Sequence, residues 1–81
     1  MRKSYMTLCM RGNTEVTHIL RNGKLEVTFE QAVNNGFNTL VLNDKGQILE
    51  NEGFNSSDTA FFEDFFKRNY STMLAEARGE F

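Results

Sequence analysis

Proline is absent from this 81-residue chain, and cysteine and histidine occur once each. A lone Cys9 cannot close an internal disulfide, so the bridge-stapled folds of small secreted proteins are excluded. A structural zinc site needs four Cys or His ligands, and one of each does not supply them. No metal or cofactor is expected. The acidic and amide residues of "NDKGQILENE" lack the alternate spacing and closing Glu of a calcium loop. Neither G-x-x-x-x-G-K nor G-x-G-x-x-G occurs, so no phosphate cradle is visible. There is no apolar run near 18 residues, hence no membrane span, and no charged-then-apolar leader at the N-terminus. These absences point to a reducing, cytoplasmic setting.

With 40% hydrophobic and 25% charged residues and no proline, the composition is that of a globular domain rather than a disordered or low-complexity chain. Chains of this length bury only about 60 to 65% of their unfolded surface. The net charge of −2 conceals an asymmetry. Residues 1–25 carry five cations against Glu15 alone, whereas residues 26–66 carry eight carboxylates against Lys45 alone.

The alternation in "KSYMTLCMR" predicts a strand, with Met6, Leu8 and Met10 on one face and Tyr5, Thr7, Cys9 and Arg11 on the other. "VTHILRNGKLEVTF" predicts a hairpin over 16–29. Its Asn22-Gly23 pair suits a type I′ turn, which needs positive φ at both positions. In that register Leu20 opposes Leu25, His18 opposes Val27 and Val16 opposes Phe29, so those six side chains collect on one face. "TFEQAVNNG" predicts a short helix over 29–35. Thr28 would cap it, Gln31 would complete a capping box and Gly36 would end it. A second hairpin is expected over 39–51 around Asn43–Gly46, with Leu40, Leu42 and Ile48 on one face and Val41 and Leu49 on the other.

The tail predicts a helix over 58–78, capped by Ser56 or Ser57 and stopped at Arg78-Gly79. Phe61, Phe62, Phe65, Phe66, Tyr70, Met73 and Leu74 span about 220° of its circumference, whereas a helix lying on one sheet needs a stripe of about 100°. Asn69 falls inside that arc, where it is expected to bond a sheet edge or face a subunit interface. The expected fold is therefore a single α+β domain over 1–81, in the order β-β-β-α-β-β-α. Its sheet would be mostly antiparallel and packed by the long C-terminal helix.

Cys9 and His18 are the only nucleophile–base pair available, and their opposed faces keep them apart. No catalytic residue is assigned, the chain is not expected to be an enzyme, and His18 is read as filling space in the core. The surplus aromatic girth of the tail helix makes a protein-binding or self-associating module the expected function, most simply a homodimer. The seven apolar helix residues would form the interface. The alternative is a nucleic-acid contact through the basic N-terminal strand and the hairpin tip, with Arg11, Arg21 and Lys24 meeting phosphates.

Overall fold

The computed structural model describes residues 3–8 and 14–79, with side chains from Thr14 onward. Five strands precede one helix: β1 (Lys3–Leu8), β2 (Thr14–Arg21), β3 (Lys24–Val33), β4 (Gly36–Leu42), β5 (Ile48–Glu52) and α1 (Ser56–Ala77). The strands form one antiparallel meander in the order β1-β2-β3-β4-β5. The class is α+β, as expected, but the element order is not.

The first hairpin follows the expected register throughout, from Arg21↔Lys24 to Val16↔Phe29. Asn22 and Gly23 have φ of 55° and 76°, the two positive values of a type I′ turn. Asn and Gly are the residues that enter this region with least strain.

The short helix predicted over 29–35 does not form. β3 continues without interruption to Val33, reverses at Asn34-Asn35 and returns as β4 from Gly36. Thr28, expected as a helix cap, lies buried in mid-strand opposite Val41. The local capping signal loses for two reasons. A seven-residue helix has almost no autonomous stability, and β3 extends the alternation of Leu25, Val27 and Phe29 that seats Phe29 under the tail helix. Phe29 pairs with Leu40 and stacks on Phe62 with ring centroids 4.7 Å apart.

The second hairpin turns where expected. The Asn43 side chain accepts from the backbone N–H groups of Lys45 and Gln47, both at 2.9 Å. The Gly46 N–H donates to the Asn43 carbonyl. These bonds satisfy the turn's own backbone.

The N-cap of α1 lies one residue before the positions expected to cap it. Asn55 is the N-cap, and its Oδ1 accepts from the Asp58 N–H at 2.8 Å. Asp58 also places a carboxylate at the positive end of the helix dipole. At the other end the Arg78 N–H donates to the Leu74 carbonyl, and Gly79 donates to Glu76. Replacing Asn55 by Ala should cost about 1 kcal/mol of stability. Ser57→Ala should cost almost nothing, and urea unfolding of the two variants distinguishes these caps.

The helix lies across one face of the sheet. Phe54, Phe62, Phe66 and Met73 join Val16, Leu25, Val27, Phe29, Leu40 and Leu42 in one buried cluster. Phe62 meets Phe54 edge-on at 5.0 Å, and Phe65 meets Phe29 edge-on at 6.0 Å. Phe66 reaches the second turn, where its ring lies 3.5 Å from the place a side chain on Gly46 would start.

Candidate functional site

The tail helix hides most of the surface that makes it conspicuous in sequence. Phe62, Phe66 and Met73 are buried, while Phe61, Phe65, Tyr70 and Leu74 are partly buried against the same core. Sheet, turn and connecting segment together enclose an arc that a flat sheet alone would leave open. The Asn69 amide donates to the Phe65 carbonyl one helical turn back, at 2.9 Å.

His18 is 2% exposed, and its Nε2 lies 3.3 Å from Glu76 Oε1 near the C-terminal end of α1. It ties β2 to the last turns of the helix, a structural contact within the core. Cys9 and Arg11 lie outside the described residues. Among the described residues no three His, Cys, Asp or Glu side chains converge to hold a metal. No described helix is long and apolar enough to cross a membrane.

The remaining cations singled out from sequence, Arg21 and Lys24, oppose each other beside the first turn. Arg21 Nε donates to Glu26 Oε1 at 2.9 Å, so a carboxylate of the same hairpin already takes that charge. The outward face of the sheet is acidic beyond this tip. Successive strand pairs align Glu15, Glu30, Thr39 and Glu52 in one row across four strands, whereas in the next row Thr17, Thr28 and Val41 are buried and only Glu50 is exposed. A phosphate backbone approaching Arg21 and Lys24 from this side would meet carboxylates.

Large apolar side chains are exposed elsewhere. Phe37 and Val33 stand near the tip of the β3–β4 hairpin, but Phe37 opposes Ala32 on one face and Val33 opposes Gly36 on the other. Alternation therefore separates them, and they form no common patch. Ile48 and Leu49 differ because they sit side by side on the edge strand β5, at 44% and 57% exposure. The ladder explains Leu49. Val41 opposes Glu50 and Leu42 opposes Ile48, which leaves Leu49 as an extra residue in a bulge with nothing opposite it.

Beside Leu49 the sheet is notched. Pairing of β3 with β4 ends at Val27↔Leu42, so Lys24–Glu26 run on past the end of β4. The resulting cleft of about 270 Å³ lies between the two turns and is lined by Lys24, Leu25, Glu26, Asn43, Asp44 and Leu49, with Arg21 and Asn22 at its rim. Every residue of β5 is exposed, and among the described residues its far side pairs with no other strand. An edge strand presents alternate backbone N–H and C=O groups to whatever lies beside it.

Sequence reasoning missed this surface because it placed Ile48 and Leu49 on opposite faces of a covered hairpin. Comparison with known proteins finds no matching family model, no matching curated sequence and no matching solved structure.

Proposed function

We propose that the protein is a small protein-binding module whose docking surface is edge strand β5 with the cleft at Leu49. The observation that carries this reading is the pairing of exposed Ile48 and Leu49 with an open main-chain edge, while the aromatic rings of α1 are drawn into the core. An unpaired edge offers directional hydrogen bonds, and adjoining apolar side chains offer area from which water can be displaced. Partial cover of those rings weakens the case for a homodimer through the helix, which stays a competing outcome of the test. The cytoplasmic setting suggested by the lone Cys9 belongs to the same proposal.

A photo-crosslinking amino acid at Leu49, with one at exposed Lys67 on α1 as control, tests the assignment in cells expressing the full chain. A discrete adduct to a second protein is expected from position 49 and not from position 67. An adduct of the chain with itself from position 67 would restore the helix-mediated homodimer. Equal or absent labelling at both positions would overturn the edge-strand reading.

A further inference from the structure

We infer that the segment received by β5 is an extended stretch of polypeptide carrying Lys or Arg at alternate positions. The inference rests on the protein-binding reading above and adds the chemistry of the partner. Within the sheet, Glu50 stands opposite Val41 and Glu52 opposite Thr39, so the strand on their covered side offers neither a counter-charge. Among the described residues no ion pair engages either carboxylate. The place for a cation is on the open side of β5.

A strand added there would lie about 4.8 Å away. Its alternate side chains would stand beside Glu50 and Glu52 at the ordinary cross-strand distance of roughly 5 Å. The intervening side chains would fall on the opposite face, next to Asn51 and Ile48. The favoured partner therefore alternates basic and apolar residues over about five positions, the length of β5. Main-chain bonding supplies attachment and the two glutamates choose the sequence.

The same geometry disfavours pairing of β5 with the β5 of a second copy in the registers that overlap it most. Antiparallel pairing of β5 with itself keeps like faces together. Centred on Asn51, it sets Glu50 against Glu52. Shifted by two residues in either direction, it sets Glu50 against Glu50 or Glu52 against Glu52. Each register brings carboxylates together, which destabilises the pairing. Glu15 on the same outward face adds repulsion against any acidic segment and attraction for a basic one.

The test uses isotope-labelled full-length protein and two blocked synthetic heptapeptides, Thr-Lys-Val-Arg-Val-Lys-Thr and Thr-Glu-Val-Glu-Val-Glu-Thr. The basic peptide is expected to shift the amide resonances of Ile48–Glu52 and to slow their hydrogen exchange, while the acidic one leaves them unchanged. The double variant Glu50→Lys, Glu52→Lys should weaken the basic peptide roughly tenfold and gain the acidic one. Equal binding of both peptides by the native protein, or shifts confined to α1 or β1, would overturn the inference. Binding of neither peptide, with the Leu49 crosslink retained, would overturn the basic segment and leave the docking surface standing. Loss of the crosslink as well would remove both.

Discussion

Phe62→Ala should remove most of the stability of this protein, lowering the free energy of unfolding by about 3 to 5 kcal/mol. Phe62 is fully buried, stacks on Phe29 and takes the edges of Phe54 and Phe61 at 5.0 and 5.6 Å. It is thus the ring at which sheet, connecting segment and helix meet. A domain of this length has roughly 4 to 12 kcal/mol in total. With a urea dependence of about 1 to 3 kcal/mol per molar, the midpoint should fall by roughly 1 to 5 M. The control is Phe37→Ala, which removes an equally large ring that is 64% exposed and should change stability by less than about 0.5 kcal/mol. A loss under about 1 kcal/mol for Phe62→Ala would mean that α1 is not seated on β3 as described. The contrast isolates burial, since both variants remove the same side chain.

What could be read in advance was whatever a short window decides. The first hairpin was legible because two independent local facts agree, a turn that only Asn-Gly satisfies cheaply and an alternation that sorts six apolar or core residues onto one side. The tail helix was legible because its capping and stop residues bracket a long periodic run. Residues 28–35 were misread because their local signals favour a helix and a distant partner favours a strand. Thr28 and Gln31 can build a capping box from within the segment, whereas the pairing of Phe29 with Leu40 and its stacking on Phe62 depend on residues 11 and 33 positions away. The width of the helical apolar face was legible in the sequence, but how much of it the fold covers was not. The excess was measured against a flat sheet, yet Phe54 and the turn at Gly46 close around the helix from the side. The candidate docking surface was the least legible part. It arises from strand order, which places β5 at an edge, and from one unmatched residue in a ladder. Neither property belongs to any single stretch of sequence.

Gly53→Ala should be the most damaging single-methyl addition in the second half of the chain, costing roughly 2 to 3 kcal/mol. Gly53 has φ of 95°, in the region where an L side chain is strained, and it lies where β5 hands the chain on to Phe54 and the helix. A Cβ there would enter the Asn38 side chain, 2.5 Å from its Cγ and 3.2 Å from its Cβ. Turning the Asn38 side chain away would remove the clash with its amide, but the Cβ contact at 3.2 Å still requires β4 or the linker to give by a few tenths of an ångström. The shift also breaks the bond from Asn38 Nδ2 to Gln31 Oε1 across the β3–β4 pair, a loss of about 1 kcal/mol. The double variant Asn38→Gly, Gly53→Ala separates the contributions. Removing the Asn38 side chain should relieve the collision but leave the dihedral strain, so the two substitutions together should cost less than the sum of each alone. Strict additivity would show that the close approach is not what makes glycine necessary. The location adds a second readout. Displacing the linker at Gly53 loosens the end of β5 that carries Glu52 while leaving the Asn22-Gly23 turn alone. Hydrogen exchange in Gly53→Ala should therefore quicken first along β5 and in the opening turn of α1, and last in the first hairpin. If the β2–β3 amides quickened equally, the edge strand and helix would be fastened to the core by something other than this crossing.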